Sequence, residues 1–155
     1  MILWHYIIVF LISMVPLIEL RGAIPYAVGF DLDITTSCII AVVGNMIPVP
    51  FIFFFARKIL VWGQDKKIIG GFCHWCMTKG EKGVKKLEAK AGYGLYIALL
   101  LFVGIPLPGT GAWTGTFAAS LLGMDFKKSV LFVLLGILLA GTIMLAASLG
   151  AFALI

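Results

Sequence analysis

Between residues 104 and 115 the chain reads Gly-Ile-Pro-Leu-Pro-Gly-Thr-Gly-Ala-Trp-Thr-Gly, with apolar residues on both sides. This stretch cannot be helical throughout. Pro106 and Pro108 remove amide donors and clash with the preceding turn. Four glycines let the backbone take conformations that other residues avoid. Inside a membrane, broken backbone survives only where protein or a water-filled cavity covers it. The chain is 62% hydrophobic and only 12% charged, whereas a soluble domain is nearer half apolar and a quarter charged. The composition is that of an integral membrane protein, and a Pro/Gly break in it points to a site.

Charge orders the rest. Most of the lysines and arginines fall between Arg57 and Lys90. Placed between apolar segments, that basic stretch reads as a cytoplasmic loop and as a partner for anionic lipid, not for nucleic acid. Lys127 and Lys128 are cytoplasmic by the same rule. Whatever lies between must therefore leave the cytoplasm and return to it. Its two apolar arms have about a dozen residues each, too few to span a hydrocarbon core of about 30 Å. A re-entrant hairpin satisfies both conditions. At the N-terminus, residues 2–14 and 22–30 are likewise too short to span. They form a second hairpin, which dips in from outside.

The predicted fold is all-α, with two inverted repeats, each a re-entrant helical hairpin followed by a transmembrane helix. In a single membrane domain, residues 1–33 are the first hairpin and 34–56 a transmembrane helix. Residues 57–91 are a basic cytoplasmic loop with amphipathic pieces at 66–77 and 81–91. Residues 92–126 are the second hairpin and 127–155 the last transmembrane helix. Both termini then lie outside the plasma (inner) membrane. The sequence carries echoes of the repeat. Val15-Pro16-Leu17 matches Ile105-Pro106-Leu107, Gly22-Ala23 matches Gly111-Ala112, and Asp31 matches Asp125. Gly136, Ala140, Ala147 and Ala151 give the last helix a small-residue face, a contact for a homodimer.

Glu19 and Arg21 are ionisable residues at membrane depth, where charge is expensive and reads as functional. They either pair with each other or act separately, Arg21 on an anionic group and Glu19 as the proton-coupled residue. On the second tip, the amides of Gly109, Thr110, Gly111 and Ala112 can form an anion pocket at a helix N-terminus. Thr110, Thr114 and Thr116 add hydroxyls there. Trp113 either stacks on a substrate or anchors at the interface. Asn45 either faces the tips or bonds a neighbouring helix. Cys73 and Cys76 form a C-x-x-C with one neighbouring histidine, an incomplete zinc set. No catalytic residue, metal site or cofactor is predicted, and no enzyme motif is present.

Glu-Leu-Arg-Gly-Ala-Ile-Pro at 19–25, Gly-Asn at 44–45, Pro-Val-Pro at 48–50 and the 92–115 stretch resemble the bacterial and archaeal small multidrug export protein family. The resemblance implies export of drugs. The paired hairpins are also similar to the DedA (SNARE-associated) membrane proteins. That likeness implies re-entrant hairpins with a glutamate and arginines, and a link to recycling of polyprenyl-phosphate lipids. By it, Glu19 and Arg21 fall on the first hairpin's charged motif, while the second tip has Thr110 and Thr114 where an arginine is expected. The expected function is a proton- or ion-coupled transporter or lipid flippase for an anionic, phosphate-bearing amphiphile. Its site is Glu19, Arg21, Asn45, Gly109, Thr110, Gly111, Trp113 and Thr114. The alternatives are an exporter of lipophilic cationic drugs and a non-transporting membrane scaffold subunit.

Overall fold

The computed structural model describes residues 2–71, 73–75, 78, 82, 85, 89 and 92–153. Among the described residues the chain is all-helical, without strands. Helix α1 (Ile2–Met14) folds back through a short turn onto α2 (Glu19–Gly29). Helices α3 (Ile34–Met46) and α4 (Pro48–Gln64) follow, then α5 (Gly94–Gly104), α6 (Ala112–Leu121) and α7 (Phe126–Ala153).

Among the described residues two helices are long and apolar enough to cross a membrane, Ile34–Gln64 and Phe126–Ala151. The first combines α3 and α4. The break expected at Pro48 and Pro50 is absorbed. Pro48 takes the first position of α4, where its missing amide is tolerated, and the Ile47 amide still bonds the Val43 carbonyl at 3.2 Å. The helix then continues past Arg57 and Lys58 to Gln64, beyond the apolar stretch. The outward surface carries large apolar side chains such as Ile39, Phe51 and Leu131. Lipid, not water, is the environment that suits them.

Local bonding recurs between the two parts of the chain. Helix α2 ends with amides of Phe30, Asp31 and Leu32 on the carbonyls of Tyr26, Val28 and Ala27. Helix α6 ends in the same way, with Leu122, Gly123 and Met124 on Ala118, Ser120 and Ala119. Asp33 caps α3 by accepting the Thr36 amide, and Asp125 caps α7 by accepting the Lys128 amide. The Asp33 amide donates to the Tyr6 hydroxyl at 3.3 Å, and the Asp125 amide to the Tyr96 hydroxyl at 3.2 Å. Asp125 thus corresponds to Asp33. Asp31 corresponds to Gly123, and both take positive φ, +50° and +70°. The sequence match of Asp31 with Asp125 was out of register because aspartate suits both the left-handed turn and the helix cap. Counted back from the two capping aspartates, Gly111 lies level with Glu19 and not with Gly22.

The close helix crossings recur too. A Cβ on Gly44 would lie 2.1 Å from Ser13 Oγ and 2.9 Å from the Phe10 carbonyl on α1. A Cβ on Gly136 would lie 2.7 Å from Val103 Cβ and 2.8 Å from the Leu100 carbonyl on α5. Between the two parts, α2 packs on α7 and α4 on α6. Val9, Leu20, Ile24, Tyr96, Val133 and Ile137 fill the common core. Gly136 and Ala140 are buried in these contacts, so only Ala147 and Ala151 of the small-residue face are exposed. Of the amphipathic pieces expected at 66–77 and 81–91, the first opens as turn at 67–69 and is helical at 70–71 and 73–75, while the second falls largely outside the described residues. Cys73 is buried and free, while Cys76 lies outside the described residues.

Candidate functional site

The two hairpin tips interlock through Glu19 and Arg21. Helix α6 begins after Gly111, which has no side chain to cap the free amides of the first turn. Glu19 supplies the cap from the other hairpin. Its Oε2 accepts the Ala112 amide at 3.1 Å and its Oε1 the Trp113 amide at 3.0 Å. The carboxylate sits on the positive end of the α6 dipole and the residue is 4% exposed. Gly111 makes room for it: a Cβ there would lie 2.5 Å from Oε2, and its φ of +140° also suits glycine. Glu19 lies fourteen residues before Asp33, and Gly111 fourteen before Asp125. A glutamate on one tip therefore enters the space left by a glycine on the other.

Arg21 does the reverse at the end of α5. Its guanidinium donates to the carbonyls of Ile105 and Leu107 and, at 2.7 Å, to Thr110 Oγ1. Thr110 Oγ1 lies 2.9 and 2.8 Å from the same two carbonyls, and its single proton serves one of them at a time. Pro106 and Pro108 bring no amides, so the turn is rich in acceptors. The guanidinium thus lies on the negative end of α5, and the carboxylate two residues earlier on the positive end of α6. No ion pair joins Glu19 to Arg21; each is bonded to the opposite tip. Leu17 and Glu19 take positive φ, +73° and +50°. Such conformations cost about 1–3 kcal/mol each and persist only where surrounding contacts hold them.

The other expected residues are placed as follows. Gly109 turns the second tip at φ +81° and meets open space. Thr114 Oγ1 bonds back to the Gly111 carbonyl at 3.4 Å. Trp113 contributes its backbone amide, and its indole Nε1 is buried without a partner. Asn45 is 2% exposed, and its Oδ1 has no partner, neither on a tip nor on another helix. Thr116 Oγ1 is likewise buried and unpaired. The sequence did not single out the Ile105 and Leu107 carbonyls, since backbone acceptors carry no residue signature. The prolines at 106 and 108 were the available clue. Beside the tips lies an apolar cavity of about 380 Å³, walled by Pro16, Leu17, Phe55, Trp113 and Phe117 among others.

A family model described as "Putative small multi-drug export protein" matches residues 19–143, from Glu19 through both tips into α7. The chain belongs to this small multi-drug export family. Membership carries the coarse function, transport across a membrane, and the two long apolar helices agree with it. The match lends nothing to the DedA likeness. No curated protein and no solved structure matches the chain.

Proposed function

We propose that this export-family chain is a proton-coupled transporter of an anionic, phosphate-bearing amphiphile, worked by exchange at the interlocked tips. One observation carries the reading: the paired amides at the start of α6 already hold a carboxylate, that of Glu19. An anion-binding pocket is thus built, and its resident anion belongs to the chain. A substrate phosphate takes the Ala112 and Trp113 amides when Glu19 leaves carrying a proton. Arg21, released from the Ile105 and Leu107 carbonyls, then meets the phosphate bidentately. The neighbouring apolar cavity receives the hydrocarbon part.

In this reading the tips belong to two re-entrant hairpins, related as inverted repeats and meeting near the midplane. The matched caps at Asp33 and Asp125 and the matched crossings at Gly44 and Gly136 support the repeat. In the same reading the basic stretch 57–91 lies on the cytoplasmic side by the charge rule, with both termini outside.

The test uses the full chain in liposomes with a fluorescent phosphatidic acid and an imposed pH gradient. The wild type moves the probe and the gradient speeds it. Arg21→Ala abolishes movement, Arg21→Lys keeps part of it, and Glu19→Gln removes the gradient dependence. Movement at the wild-type rate in Arg21→Ala would overturn the proposal. The apolar, aromatic cavity favours a second reading, export of lipophilic cations with Glu19 as counter-charge. Efflux of tetraphenylphosphonium that survives Glu19→Gln rules that reading out. A scaffold gains if the variants alter expression and nothing else.

A further inference from the structure

A second apolar cavity, about 200 Å³, opens between α5 and α6. Leu99, Ala119 and Met124 are its buried floor, and Phe102 and Leu122 its exposed rims. The corresponding space in the first hairpin is plugged. There His5, Tyr26 and Phe30 stand where the second hairpin has Leu95, Ala118 and Leu122. The His5 and Phe30 rings lie 4.7 Å apart and those of Tyr26 and Phe30 4.6 Å apart. His5 Nδ1 and the Tyr26 hydroxyl are hydrogen-bonded at 2.8 Å. As a result α1 and α2 pack closely, while α5 and α6 touch little.

The two mouths differ in charge. Lys127 and Lys128, both exposed, follow three and four residues after Met124 of the groove floor. Lys128 Nζ lies 5.4 and 5.6 Å from the Tyr93 and Tyr96 rings, at the N-terminal end of α5, and the Tyr96 hydroxyl accepts the amide of Asp125, the residue after Met124. Asp125 is the acidic group at this mouth, and its carboxylate is engaged by the Lys128 amide at 2.9 Å. The mouth is left with net positive charge. In the first hairpin the lysine positions are Thr35 and Thr36, beside Asp31 and Asp33. The acidic mouth is thus closed and the basic one open.

We propose that the α5–α6 groove holds one acyl chain of an anionic glycerophospholipid, whose phosphate headgroup rests on Lys127 and Lys128. Floor, rims and mouth suit an apolar chain ending in a negative group. This lipid is a bound neighbour and not the cargo, so the proposal stands whether or not the tips transport a phosphate.

Native mass spectrometry of the full chain in detergent tests it, titrating phosphatidylglycerol against phosphatidylcholine of the same acyl length. The wild type retains phosphatidylglycerol in preference, by about fivefold or more, the factor for one lysine near an anionic headgroup. Ala118→Phe fills the groove and lowers retention of both lipids; Leu122→Phe serves if the first variant misfolds. Lys127→Gln with Lys128→Gln keeps acyl binding but loses the headgroup preference. Tyr26→Ala opens the first hairpin without adding a phosphatidylglycerol preference. Equal retention of the two lipids by the wild type overturns the proposal. So does undiminished phosphatidylglycerol retention in folded Ala118→Phe or Leu122→Phe. A groove-filling variant that abolishes a dimer while leaving lipid retention intact assigns the groove to a second copy and also overturns it.

Discussion

Gly111 shows how far a single missing side chain reaches. Its absent Cβ leaves the space that the Glu19 carboxylate occupies, 2.5 Å from where that atom would stand. Gly111→Ala should therefore expel the carboxylate and strand the Ala112 and Trp113 amides. The expected cost is at least about 2 kcal/mol, the penalty for unpaired buried donors. It reads out as a lower melting temperature in detergent. Gly109→Ala is the contrast. It too has positive φ, but nothing lies within 4 Å, so only backbone strain of about 1 kcal/mol is expected. Equal losses in the two variants would contradict the Glu19 cap. Asp33 gives a pH test. Thr36, by its side chain and then its amide, holds the Asp33 carboxyl below the ordinary value of 3.8. The folded chain thus favours the carboxylate. Its stabilising contribution is whole above the unfolded-chain value and fades as pH falls through the folded one. Asp33→Asn should show a smaller drop in melting temperature than wild type between neutral pH and pH values below about 4.

Among the helices, the crossings decide which glycines matter. Gly136 on α7 meets Val103 and the Leu100 carbonyl at distances no Cβ tolerates. Gly136→Ala should push α7 from α5 and cost about 1–3 kcal/mol. A Cβ on Gly141, five residues on, would meet Leu20 and Ile24 side chains at 3.6–3.8 Å, which is ordinary contact. Gly141→Ala should be neutral or stabilising by up to about 1 kcal/mol, because alanine is the better helix former. Thermal unfolding of the two variants side by side separates packing from propensity. Helix termini follow the same local logic. Asp33 and Asp125 cap their own helices. Helix α6 has glycine at that position and borrows its cap from α2.

For the molecule as a whole, charge and length set the expected arrangement in the membrane. A reporter near Thr78 should be reached from the cytoplasm, and one at the C-terminus from outside. Finding the two ends of segment 92–126 on opposite sides would refute the re-entrant hairpin. The internal correspondence extends from caps to crossings, yet the two parts differ where function is expected. One tip carries Glu19 and Arg21, the other Gly111 and Trp113 in their places. One hairpin is plugged by His5, Tyr26 and Phe30, the other is open beside Lys127 and Lys128. Divergence between corresponding positions, more than the correspondence itself, locates both candidate sites.

The sequence alone determined the helical class, the apolar lengths and the break at 104–115, and it singled out Glu19 and Arg21. Those follow from composition, proline and glycine chemistry, and the cost of charge in lipid, all local or summed properties. The tertiary structure decided what Glu19 and Arg21 bond. Neither pairs with the other: one caps the start of α6 and the other the end of α5. Their partners are backbone groups far along the chain, and backbone donors and acceptors look alike at every position. Only folding brings particular ones within hydrogen-bond distance. The 104–115 break is therefore more than a turn, since its free amides and carbonyls are the groups that hold the opposite tip.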